Sequence, residues 1–121
     1  MKTSELSGAL LDYWVARAEG IQHPRAMREL APGFVMVTYE SRDENGLITR
    51  YRAFEPSSNW VDGGHIIQRD HIGIMPSNAR WVAWPSSELE ARGFGETALI
   101  AAMRAKIWGH YGDEVPDEAM A

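Results

Sequence analysis

The feature that most constrains the fold is a helix near the carboxyl end of the chain, because the sequence specifies both of its ends. Thr97 is a typical N-cap residue, whose hydroxyl can accept a hydrogen bond from a free N–H group of the first turn. Gly112 favours termination in a left-handed backbone conformation, and Pro116 blocks continuation. Between these caps, apolar residues recur at intervals of three and four, so one stripe is expected to face a core. This stripe comprises Leu99, Ile100, Met103, Ile107 and Tyr111.

Similar apolar spacing predicts an opening helix over residues 3–19, although Gly8 weakens it near its start. The connector that follows is rich in turn signals, and its residues 25–30 are compatible with one helical turn.

Residues 34–40 and 47–54 are rich in β-branched and aromatic side chains. An acidic turn of residues 43–46 separates them. This pattern predicts a hairpin about residues 45–46. Side chains alternate across a strand, and we expect the face that carries Arg50 and Arg52 to be the one in contact with solvent.

Two further strands are expected over residues 71–75 and 80–84. The predicted fold is therefore α+β, with the N- and C-terminal helices packed on one face of a small antiparallel sheet of three to four strands. A chain of 121 residues fits a single domain over residues 1–121, with an acidic tail from about 113 to 121.

Composition excludes some classes of function. The chain has no cysteine, which rules out disulfides and thiol chemistry. Its net charge of −5 disfavours nonspecific attraction to nucleic acid or anionic lipid. Charged residues interrupt the first twenty positions, so we expect neither a signal peptide nor a membrane span there, and we expect a cytosolic protein.

Three blocks of the sequence resemble the NinX-like phage proteins, a family of bacteriophage and prophage accessory proteins. They are the opening MKTSELSGALLDYWVARAEG, the central YRAFEPSSNWVDGGHIIQRDHIGI and the closing ETALIAAMRAKIWGHYGDEVP. The resemblance implies the cytoplasm of an infected or lysogenic bacterium, and it implies no particular reaction. His65 and Ala98 stand where proline is usual in the family pattern.

The best candidate for a binding site is a predicted loop in the central block. Glycines let a backbone approach a ligand closely, while an aromatic ring and a carboxylate supply stacking and orientation. The alternative is a structural loop, in which the tryptophan plugs the end of the core and the glycines form a tight turn. The candidate residues are Trp60, Asp62, Gly63, Gly64 and His65.

A second candidate is the arginine face of the hairpin. Arg50 and Arg52, together with Arg80 and with Tyr39 or Trp81, could bind nucleic acid by charge and stacking. A solvated face held by cross-strand ion pairs is the favoured interpretation, because the net charge is negative and the last helix has no lysine cluster.

Other chemistry is disfavoured. His65 and His71, with Asp70, match no metal-binding spacing, and no nucleophile elbow accompanies the histidines. Residues 93–95, which precede the last helix, could cradle an anion, but Glu96 opposes one and a simple turn is favoured. We therefore expect neither a metal nor a cofactor.

The sequence favours a noncatalytic accessory module that binds a host or phage protein. One alternative is a small-molecule binder or enzyme with a pocket near Trp60, Asp62 and His65. The other alternative is nucleic-acid binding across the arginine face. The sequence indicates no membrane partner, and it does not determine the oligomeric state.

Overall fold

The computed structural model describes residues 1–21, 25–26 and 35–116. For residues 25–26 and 38–41 it describes the backbone alone. Helices and antiparallel strands pack together in this part of the chain, which confirms the predicted α+β class. The helices are α1 (Gly8–Ala18), α2 (Trp60–Asp70) and α3 (Ala98–Tyr111). The strands are β1 (Arg25–Ala26), β2 (Val35–Asp43), β3 (Gly46–Ala53), β4 (Gly73–Ser77), β5 (Arg80–Trp84) and β6 (Gly93–Gly95).

The described strands form two antiparallel sheets of three strands each, with the orders β1-β2-β3 and β4-β5-β6. The sequence predicted one sheet, and neither the second sheet nor α2 was expected. Arg25–Ala26 is extended where a helical turn was considered, and residues 27–30 of that prediction lie outside the described residues.

The predicted hairpin is confirmed as β2 and β3, which pair from Met36 opposite Ala53 to Asp43 opposite Gly46. The turn is at residues 44–45, one position earlier than expected. Asp43 Oδ1 accepts a hydrogen bond from Asn45 N at 2.8 Å, and Gly46 has a φ of 113°, which side-chain-bearing residues rarely adopt.

Helix α3 has the predicted cap, since Thr97 Oγ1 accepts a hydrogen bond from Ile100 N at 3.1 Å. Burial on α3 extends beyond the predicted apolar stripe to the small residues of the helix, because the sheet β4-β5-β6 packs directly on them. A side chain at Gly93 would place Cβ only 2.0 Å from Ala101 O, so glycine is what allows this contact. The buried alanines are Ala98, Ala101, Ala102 and Ala105.

The opening helix is divided rather than continuous. Thr3–Glu5 forms a single 3-10 turn, and α1 begins only at Gly8, whose φ of 55° interrupts the helix. Burial on α1 extends over six consecutive residues, because it packs both on α3 and on the first sheet.

The first part of the predicted acidic tail is held in the body of the molecule. Thr3 N donates to Asp113 O at 2.8 Å, and Val115 N donates to Met1 O at 3.0 Å. These bonds join the two ends of the described chain beside α3. Residues 117–121 of the predicted tail lie outside the described residues.

Candidate functional site

The predicted binding loop is a helix, so the loop interpretation is wrong. Trp60 is the first residue of α2, and Asn59 caps the helix by accepting a hydrogen bond from Val61 N at 2.8 Å. The Gly63–Gly64 pair lies inside α2. Two adjacent glycines weaken a helix locally, which is why sequence reasoning favoured a turn, whereas tertiary packing stabilises the helix here.

The candidate residues of α2 are divided between its two faces. Asp62 and Gly63 point toward the body of the protein and are buried. Trp60, Val61 and His65 lie on the outer face, where the first two are 57% and 80% exposed. Trp60 therefore does not plug the core. The convergence of Trp60, Asp62 and His65 in one pocket, which the small-molecule alternative requires, is not observed either.

Asp62 joins α2 to the hairpin. The residue is 7% exposed, and its Oδ1 accepts a hydrogen bond from Arg52 Nη1 at 2.9 Å. Its Oδ2 accepts from Glu55 N, also at 2.9 Å. Both oxygens are therefore bound within the chain, and this residue holds the base of β3 against the first turn of α2.

The two glycines have different surroundings. A Cβ added at Gly63 would lie 2.3 Å from Pro56 O and 2.6 Å from Leu99 Cδ2. At Gly64 the nearest atom would be Trp60 Cε3 at 3.4 Å. Gly63 thus permits close approach of the chain's own backbone rather than of a ligand, while Gly64 lies under the Trp60 ring on the outer face.

The arginine residues are not arranged as one open face. Arg80 lies in the second sheet, where its guanidinium carbon is 4.6 Å from the centre of the Phe94 ring. Arg52 is bonded to Asp62, and Phe54, on the same side of β3, is buried. The prediction that this side is the solvent side is wrong at the base of the hairpin. Arg50, farther along, is exposed.

A buried carboxylate that sequence reasoning missed lies beside this region. Asp12 of α1 accepts a hydrogen bond from Ser57 N at 2.9 Å. Burial raises the pKa of Asp12 to about 6, the bonds from Ser57 oppose this increase, and the nearby Glu55 and Asp62 carboxylates add to it. No local sequence signal indicates this contact, because its partners are 45 residues apart.

A charged cluster joins the ends of α1 and α2 to α3. Arg69 donates to Glu19 at 2.8 Å and to Asp70 at 2.8 Å, and Lys106 lies 2.9 and 2.7 Å from the same two carboxylates. The bonds from Arg69 and Lys106, against the effect of burial, lower the pKa of Asp70 to about 2. These four charges compensate one another, so the cluster is a structural link.

An open cavity of about 200 Å³ lies next to this charged cluster. None of the residues predicted as a site contributes to it. Its walls combine charged, hydroxyl and apolar groups from the end of α2, the segment after β5 and α3. The lining residues are Asp70, Ile72, Pro85, Ser86, Ser87, Lys106, Gly109 and His110.

Neither a metal-binding cluster nor a membrane-spanning helix occurs in the described part of the chain. Within residues 1–21, 25–26 and 35–116, no three histidine or acidic side chains are grouped as a metal site would require. Over the same ranges, no helix combines the length and the apolar character needed to cross a membrane.

Comparison with known proteins identifies the family. No curated protein matches the chain significantly. Residues 2–108 match the family described as Bacteriophage P22, NinX, which confirms the resemblance carried by the opening, central and closing blocks. That match spans most of the chain, including α1, α2 and nearly all of α3. The protein is therefore a member of the Bacteriophage P22 NinX family.

Proposed function

We propose that this chain is a noncatalytic phage or prophage accessory protein that acts in the bacterial cytoplasm by binding a host or phage protein. The observation that supports the proposal most is the outer face of α2, where Trp60 and Val61 remain exposed. Tryptophan is enriched among the few residues that dominate the energy of protein–protein interfaces. An exposed tryptophan beside an exposed valine is thus well suited to anchor a partner.

The backbone beneath this face is already ordered. Asn59 caps the helix, Asp62 bonds it to the hairpin, and Gly63 packs against Pro56 and Leu99. A partner would therefore meet a rigid helix and would lose little free energy to ordering it. Rigid presentation supports recognition by α2 as a surface, in contrast to a loop that folds around a ligand.

The distribution of polar groups supports binding over catalysis. Both oxygens of Asp62 are occupied by Arg52 and by a backbone N–H group. His65 follows Asp62 by three residues on α2, but it is exposed whereas Asp62 is buried. A general acid or base must be within hydrogen-bond reach of a substrate, and the buried, doubly bonded carboxylate of Asp62 does not meet this requirement.

The test compares variants of the outer face with a matched control. Affinity capture from infected cells identifies a partner, and titration calorimetry with the purified partner then measures its affinity. Trp60→Ala should weaken binding by about tenfold or more, as expected for a residue worth about 2 kcal/mol at an interface, and His65→Ala should weaken it less. Leu89→Ala is the control, because Leu89 is fully exposed but lies outside α2.

Thermal unfolding of each variant separates binding from folding. We expect Trp60→Ala, His65→Ala and the Leu89→Ala control to have unchanged melting temperatures, because all three side chains are exposed. Equal affinities for the Trp60 and Leu89 variants would contradict the assignment of the binding face to α2.

A further inference from the structure

The outer edge of β3 is the least protected sheet edge in the described part of the chain. β1 has only two residues, β6 has three, and β4 contains Pro76, which has no N–H group to offer. β3 has eight residues and neither a proline nor a lysine. Short length and proline are common devices against edge-to-edge pairing, and β3 has neither.

The pairing of β3 with β2 shows which residues of β3 direct their backbone groups toward β2 and which direct them outward. Phe54 N donates to Val35 O at 2.8 Å, so this pair is of the hydrogen-bonded type. Because the type alternates along an antiparallel pair, even-numbered residues of β3 bond to β2 and odd-numbered residues point their N–H and C=O groups outward. Within the described sheet, the backbone N–H and C=O groups of Leu47, Thr49 and Tyr51 therefore have no neighbouring strand to bond.

The same three residues also share the exposed side of the strand. Leu47 and Tyr51 are 60% and 63% exposed, and Thr49 lies between them. At the end of β3 the outward carbonyl of Ala53 is already occupied, because it accepts a hydrogen bond from Arg52 Nη1 at 3.4 Å. Among the described residues, backbone groups without a strand partner and exposed apolar side chains thus coincide on residues 47–51.

We infer that β3 pairs with β3 of a second copy of the chain, antiparallel about a two-fold axis through Thr49. In this register, each Leu47 lies opposite Tyr51 of the second copy, and the two Thr49 residues face each other. Apolar–aromatic and Thr–Thr pairs are both favourable across strands. The pairing closes on itself, so it yields a dimer and not a filament.

Charge favours this register over the one whose axis passes through Arg50. A shift of the axis to Arg50 would place the two Arg50 side chains opposite each other, which is unfavourable. With the axis at Thr49, Arg50 lies opposite Ile48, and Arg52 lies opposite Gly46, beside the acidic turn of the second copy. The dimer pairs residues 46–52 of the hairpin, none of which belongs to the proposed binding face on α2.

The first experiment measures the mass of the full chain by sedimentation equilibrium over a range of concentrations. The expected result is a dimer that dissociates on dilution, and a monomer at every concentration would overturn the inference. Because the chain has no cysteine, Thr49→Cys introduces a single thiol next to the axis. Paired Cα atoms of this type are about 5.5 Å apart, within reach of a disulfide.

Oxidation of Thr49→Cys should therefore give a covalent dimer, whereas Ser58→Cys, exposed but outside the edge, should not. Equal cross-linking of both variants would overturn the inference, because it would indicate random collision or a different interface.

Two double variants test the register. Both carry Leu47→Glu, at a position that lies opposite Arg42 of the same chain. The two variants differ only at Tyr51. With Tyr51→Lys, unlike charges meet across the axis and the dimer should persist. With Tyr51→Glu, like charges meet and the dimer should be lost. Far-UV circular dichroism checks that both remain folded, and equal dimer fractions in the two variants would refute the pairing.

Discussion

The adjacent glycines of α2 allow a sharp test of how this helix is packed. An alanine methyl at Gly63 would lie 2.3 Å from Pro56 O and 2.6 Å from Leu99 Cδ2. The first of these neighbours is backbone, which cannot rotate away. At Gly64 the methyl would meet only Trp60 Cε3, at an ordinary 3.4 Å. The same substitution at neighbouring positions should therefore have effects of opposite sign.

The magnitudes follow from two contributions. Alanine is favoured over glycine inside a helix by about 0.5–1 kcal/mol, so Gly64→Ala should raise the free energy of unfolding by about that amount. Gly63→Ala gains the same helix propensity but overpacks the contact with Pro56, which typically costs about 1–3 kcal/mol or more. We expect Gly63→Ala to be the less stable of the two by about 1–3 kcal/mol.

Urea unfolding followed by far-UV circular dichroism measures both variants. Equal slopes of free energy against urea concentration would show that the native and unfolded states expose similar surface in each case. If Gly63→Ala stabilised the protein as much as Gly64→Ala, α2 could not be packed against Pro56. The assignment of Gly63 to the inner face would then be refuted.

Three further predictions concern the core and its buried polar groups. Met103→Ala should lower the free energy of unfolding by about 2–5 kcal/mol, because it leaves a cavity in a fully buried part of α3. Arg104→Ala should cost about 1–3 kcal/mol in the same urea assay, because its guanidinium donates to the backbone carbonyls of Leu6 and Phe94. Burial raises the pKa of Asp12 from 3.8 to about 6, so the folded state binds this proton more tightly. Wild type should therefore lose at most about 3 kcal/mol relative to Asp12→Asn as the pH rises from about 4 to about 6. Urea titrations at several pH values measure this difference, and parallel pH profiles of the two proteins would contradict it.

The local sequence determined the elements whose signals lie within a few residues. Thr97 at the start of α3, the turn ending at Gly46, and the alternating residues of β2 and β3 were all identified correctly as a capped helix and a hairpin. Caps, turns and β-branched runs act through neighbouring backbone groups, so their free energies can be inferred without knowing the rest of the fold. Family membership was also evident from the sequence.

Tertiary structure decided the secondary structure and orientation of the candidate site. Gly63 and Gly64 favour a turn by propensity, yet both lie in a helix, because Asp62 and Ile66 are packed against the body on its inner face. The contact between Asp12 and Ser57 joins positions 45 residues apart. Such features depend on which distant surfaces meet, and a segment's own residues do not encode that. Trp60 is thus exposed, and Asp62 buried, for reasons that lie outside their own stretch of sequence.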